Sequence, residues 1–201
     1  MAAAADLSPA TALAPLVPAE APPPGLYTAM GSGVLPSWFL RALAPALGAG
    51  ARVIWIDAGN RFDAYGLGRC AQAAGLDAKQ ALAGVSLARP FNAFQLQTMV
   101  TRKLPAFWRG EPVVLSDPLG PLYDEDLPIP DARKVLRAVL GGMREIPALW
   151  LVLAVLRPVP EGRGGMLEAL ARASRASVLL APQGPGLGLR PVEGRAPLPA
   201  R

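Results

Sequence analysis

The segment Thr28-Ala-Met-Gly31-Ser32-Gly33-Val34-Leu35 carries the glycines of a phosphate-binding loop without its charged and hydroxyl groups. Such a loop works because glycine lets backbone N–H groups crowd a phosphate, a following lysine neutralises its oxygens, and a Ser or Thr hydroxyl holds Mg²⁺. Val34 and Leu35 stand at the lysine and hydroxyl positions. Taken alone, Gly31-Ser32-Gly33 also fits an ordinary tight turn. Asp57 and Asp117 each close an apolar run, where a carboxylate either hydrogen-bonds loop backbone or binds a metal; backbone capping is the simpler reading. Arg157-Pro-Val-Pro-Glu-Gly-Arg163-Gly-Gly165 is basic and glycine-rich, a pattern that can follow phosphates without reading bases. It lacks aromatic residues for base stacking. Arg172, Arg175 and Lys134 are candidates to extend it into a patch, against the alternative of scattered surface charge. Asp124-Glu125-Asp126 is a solvated loop or a docking surface for a basic partner, and it would repel DNA locally.

Other chemistries are excluded by composition. The chain has no histidine and one cysteine, Cys70, so intrachain disulfides and His-based acid–base catalysis are absent. No metal site is expected, and Cys70 reads as a small buried helix residue. The net charge is +5, and apart from Lys79, Lys103 and Lys134 the 20 basic residues are arginine. That charge permits an acidic or nucleic-acid partner without requiring one. No run of apolar residues is long enough to span a bilayer, and the N-terminus lacks the basic-then-apolar layout of a secretion signal. A soluble, cytoplasmic protein with no membrane partner is the expectation.

The elements that would position these residues alternate strand and helix. With 201 residues, 52% of them hydrophobic, one α/β domain with a substantial core is expected. Residues 1–24 are rich in alanine and proline and read as a flexible arm, 25–192 as the folded domain, and 193–201 as a tail. The spacing predicts strands at 52–57, 85–88, 112–116, 149–156 and 177–180, with a short one near 187–192. Helices are predicted at 37–47, 64–74, 93–103, 132–145 capped by Asp131, and 167–174. Such alternation argues a mostly parallel, twisted sheet flanked by helices. Trp38, Trp55 and Trp150 read as core, and Trp108 as an exposed residue for a partner interface.

In this order the segments resemble the ATPase core of the RecA/RadA recombinase family, closer to its archaeal and eukaryotic branch. Val53-Ile-Trp-Ile-Asp57-Ala-Gly59-Asn-Arg61-Phe62 is similar to the family's strand end I-D-T-E-G-x-F. Leu87-Ala-Arg89-Pro-Phe91-Asn92-Ala-Phe-Gln95 is similar to its A-R-A-F/Y-N-x-x-x-Q passage, and Val113-Val-Leu-Ser-Asp117-Pro-Leu-Gly-Pro-Leu122-Tyr123 to its Walker B strand and D-S-x-x-x-L-Y continuation. The Arg157–Gly165 loop stands where the family contacts DNA. The likeness covers about residues 25–181.

The resemblance implies a P-loop NTPase fold with a degenerate nucleotide site at Gly31, Ser32, Gly33, Val34, Leu35, Gly59 and Asp117. Gly59 replaces the family's water-activating glutamate. With lysine, hydroxyl and glutamate all missing, no hydrolysis, catalytic residue or cofactor is expected. The implied function is a non-hydrolysing paralogue, an accessory or scaffold in DNA recombination or repair. Its implied partners are a recombinase or repair protein, a second copy of itself, and single-stranded DNA through Arg157, Arg163, Arg172 and Arg175. Two alternatives remain: a subunit binding ATP and Mg²⁺ weakly, completed in trans, with Arg61, Arg89 or Arg102 replacing the lysine; or a RecA-like regulatory domain without a DNA role.

Overall fold

A computed structural model describes residues 22–182 and 189–191. The predicted 193–201 tail and most of the predicted arm lie outside these residues. Seven strands form one sheet: β1 (Gly25–Gly31), β2 (Val53–Asp57), β3 (Val85–Ala88), β4 (Val113–Ser116), β5 (Leu149–Val155), β6 (Ala176–Pro182) and β7 (Leu189–Pro191). Their order is β3-β2-β4-β5-β1-β6-β7. The first six are parallel, and β7 runs antiparallel to β6. The expected parallel α/β architecture is thus present.

This order decides where the helices lie. The chain moves from β1 to β2 and β3 in one direction along the sheet, then returns through β4 and β5 to β6 on the far side of β1. Right-handed crossovers in opposite directions leave on opposite faces. One face carries α1 (Leu35–Gly48), α2 (Ala64–Ala73) and α3 (Ala78–Ala83); the other carries α4 (Ala93–Thr98), α5 (Leu104–Phe107), α6 (Ile129–Glu145) and α7 (Met166–Ala173). Two cores follow, divided by the alternation of side chains along each strand. Tyr27, Trp55, Leu151 and Leu153 pack under α1 and α2 with Trp38, Phe39 and Leu67. Leu26, Ile56, Trp150 and Val152 face the other way, onto Leu96, Val100 and Val135.

Strand β1 and helix α3 are absent from the predicted elements, and three further details differ from the sequence reading. Between α4 and α5 the backbone widens into a π-helical stretch, Met99–Lys103, with the Leu104 N–H bonded to the Met99 carbonyl. Pro105 lies just beyond; it has no N–H and its ring would crowd the carbonyl four residues back, so a regular α-helix cannot run through it. Asp131 does not cap α6 from outside. It sits in the first turn with Pro130, where its charge suits the positive end of the helix dipole, and Pro128 holds the cap position without a side-chain bond. Trp38, Trp55 and Trp150 are buried as expected. Trp108, expected to be exposed, is instead half-buried against the core, and its Nε1 donates to the Glu111 carbonyl at 2.8 Å. Cys70 is half-buried on α2. Among the described residues, no helix is long and apolar enough to cross a membrane.

Candidate binding cleft

A cavity of about 480 Å³ opens at the carboxyl ends of β2, β3, β4 and β5, lined by Asp57, Gly59, Arg61, Arg89, Asp117 and Arg157 among others. Crossovers leave β2 and β4 toward opposite faces, and the crevice between such strands is where open α/β sheets place ligands. Each strand contributes one charged group at or just beyond its end, so the sheet sets their spacing.

Asp57 ends β2 and is fully buried. Its two oxygens accept the Arg61 and Phe62 N–H groups, each at 2.9 Å, and Arg89 Nε stands 3.3 Å from Oδ2. Arg89 also donates from Nη2 to the Phe62 carbonyl at 3.1 Å. Asp57 therefore folds the loop after β2, as the simpler reading expected, and ties it to the end of β3.

Asp117 follows β4 in the left-handed region, at φ 54°. Its own N–H donates to the Leu153 carbonyl at 2.8 Å. Its carboxylate is 1% exposed, with Arg157 Nη2 bonded to Oδ2 and Arg61 Nε 3.6 Å from the same oxygen. Burial pushes the Asp117 carboxyl above its ordinary range, with the two guanidinium groups pulling against it. Gly59 is explained by this carboxylate, since a Cβ there would lie 2.5 Å from Asp117 Oδ2. A glutamate at 59 cannot be accommodated unless Asp117 moves.

The Gly-Ser-Gly turn is tighter than the sequence reading made it. Thr28 to Gly31 belong to β1, paired with Val152 to Val155 of β5. Only Ser32, Gly33 and Val34 link strand to helix, closed by the Leu35 N–H on the Ser32 carbonyl at 3.0 Å. A phosphate loop encircles its ligand with a longer run of backbone N–H groups, and three residues are too few. Thr28 is buried in the sheet, with its hydroxyl 2.7 Å from that of Ser174. Leu35 is fully buried in the α1 core with Val34 packed beside it, so neither side chain faces a metal position. Gly33 lies beside Arg61: a Cβ there would be 3.5 Å from Arg61 Nη1. Arg61 thus spans from Asp117 to the turn. Arg102, the other candidate substitute for a lysine, is exposed on the π-helical stretch and does not line the cavity.

The four arginines proposed for DNA contact do not form one surface. Arg157 lies in the cleft on Asp117. Arg163 is 3% exposed, and its guanidinium donates to the carbonyls of Leu122, Asp124 and Leu127. This corrects the expectation of an outward-facing Arg163: it clamps the loop after β5 onto the segment before α6, with no donor group on an open surface. Arg172 and Arg175 are exposed, but they lie where α7 returns to the amino-terminal end of β6, the opposite end of the sheet from Arg157. Asp124, Glu125 and Asp126 are exposed, and Asp124 edges the cleft. Sequence reasoning missed the burial of Arg163, for which no local signal exists, because a buried arginine and a surface arginine share one letter.

Fold and cleft together define an α/β protein with a parallel sheet and a charge-paired crevice at its carboxyl edge. No protein-family model matches the chain, and no curated protein matches it. Among the described residues, no group of three or more acidic or cysteine side chains is arranged to hold a metal ion.

Proposed function

We propose that this chain is a RecA-like protein whose nucleotide site has been rebuilt into internal ion pairs, and that it serves as an accessory or scaffold in DNA recombination or repair. The observation that carries this reading is the Arg157–Asp117–Arg61 cluster. The carboxylate that the resemblance makes a magnesium-associated residue is neutralised from within, and Arg61 lies over the shortened turn. The strand order, with β1 between β5 and β6 and β4 between β2 and β5, is compatible with that fold. Binding by protein contact is supported by exposed apolar residues along the β3 edge, where Leu87, Phe91, Phe94 and Phe107 are 42%, 84%, 53% and 41% exposed. Apolar surface concentrated at an unpaired strand edge is a common mark of a partner site. Purified protein is expected to show no ATP turnover with Mg²⁺; turnover abolished by Asp117→Ala overturns the reading.

One observation favours a second reading, a nucleotide-binding subunit completed in trans. Arg61 remains 42% exposed beside Gly33, within reach of an anion entering the cleft. Saturable binding of labelled ATP with Mg²⁺, lost in Arg61→Ala, would select it.

A further inference from the structure

A second cavity, of about 540 Å³, lies on the opposite side of the molecule from α1–α3, in the groove between α6 and α7. Its lining includes Arg133 and Arg137 of α6, with Gly164, Gly165, Met166 and Ala169 at and before the first turns of α7. At 100° per residue, Arg133, Arg137 and Arg144 fall within about 40° of one another, in a row about 16 Å long. Asp131 falls on the far side of the helix, and Glu145 about a quarter-turn away. Across the groove, Arg172 lies farther along α7, about 60° around the helix from Ala169 and one turn after the exposed Glu168, outside the cavity lining itself. All four arginines are exposed and none forms an ion pair among the described residues, though Arg133 Nη2 donates to the Gly162 carbonyl at 3.1 Å. Three arginines in one row of a helix repel each other, and no carboxylate of the described residues stands within ion-pair distance of them, so the row is matched to an external anion.

We infer that this α6–α7 groove binds the phosphate backbone of double-stranded nucleic acid without reading its sequence. Arginine presents a planar fork that grips phosphate oxygens, and a row about 16 Å long faces several charges of a duplex, which carries roughly one per 1.7 Å. None of the exposed aromatic side chains of the described residues lines this groove, so the stacking that single-strand binders use is missing. The site is independent of the cleft and of any descent from a recombinase.

The experiment measures binding of a 30-base-pair DNA duplex, the same single strand, and polyglutamate to the full chain over a range of salt. The duplex is expected to bind with Kd of about 10⁻⁴–10⁻⁶ M at physiological salt and more tightly at low salt, in both cases better than the other two, with a log–log salt slope of about −3 to −4. Arg137→Gln with Arg144→Gln and Arg172→Gln should weaken the duplex about tenfold or more and flatten the slope by about one per arginine removed. Arg41→Gln with Arg52→Gln and Lys79→Gln, an equal loss of exposed charge elsewhere, should change it less than about threefold. Failure to bind duplex at low salt, equal weakening by the two triple variants, preference for single strands, or equal binding of polyglutamate overturns the inference. ATP turnover plays no part in the readout, so a failure of the cleft reading leaves this result separate.

Discussion

At the scale of single residues, one carboxylate explains several features that look unrelated in the sequence. Asp117 draws Arg157 and Arg61 onto one oxygen and leaves space at position 59 for hydrogen alone. Placing a glutamate at this position by Gly59→Glu, as in the family the sequence resembles, should therefore not produce hydrolysis. It should cost about 1–3 kcal/mol through overpacking, read as a melting temperature lowered by about 3–10 °C; a stable variant with ATP turnover would show that Asp117 is not the obstacle. The raised Asp117 carboxyl also sets the sign of a pH effect. The folded state holds that proton more tightly than the unfolded chain, whose value is ~4. Its contribution to stability is complete below that value and is lost as pH rises through the folded value. Asp117→Asn removes the titration, so the stability of the variant relative to the natural protein should increase between pH 4 and pH 7. Parallel stability curves for the two proteins over that window would contradict the burial argument.

At the scale of elements, the sequence was legible where local chemistry and final environment agree. Val53–Asp57, Val85–Ala88 and Val113–Ser116 are β-rich runs between breakers, and they form strands close to their predicted limits. β1 was harder, because Gly25-Leu-Tyr-Thr-Ala-Met-Gly31 is bounded by glycines and centred on small residues. Its pairing with β5 and β6 on both sides makes it a strand, and that is a tertiary cause invisible in the segment itself. The same holds for the loop after β5, which reads as exposed from its glycines and arginines yet is fastened by Arg163. Arg163→Ala strands three carbonyls and should cost about 2–4 kcal/mol in denaturant unfolding. Arg163→Lys should recover less than half of that, because an ammonium cannot reproduce the fork. If Arg163→Ala is as stable as the natural protein, the clamp is not structural. Proteolysis should cut the variant within 157–165 faster than the natural protein.

At the scale of the whole molecule, surfaces of different character stand on one rigid sheet. The carboxyl edge carries paired charges, the α6–α7 face exposed arginines without ion pairs among the described residues, and the β3 edge exposed apolar side chains. A cavity of about 500 Å³ beside β3 is lined by Leu87, Met99, Lys103, Ala106 and Phe107, and the outer edge of β3 has no neighbouring strand among the described residues. An apolar cavity beside an open edge suits an added strand or a packed partner helix. Leu87, 42% exposed, and Phe107, 41% exposed, contribute little to the core, so charges there should disturb association without disturbing the fold. If the proposed scaffold role includes self-association, the mass of the natural protein in sedimentation should rise with concentration. Leu87→Lys with Phe107→Glu should hold it at one chain, with a melting temperature changed by less than about 3 °C. An unchanged mass profile in the double variant would move the contact away from the β3 edge, and a collapsed melting temperature would show these side chains to belong to the core.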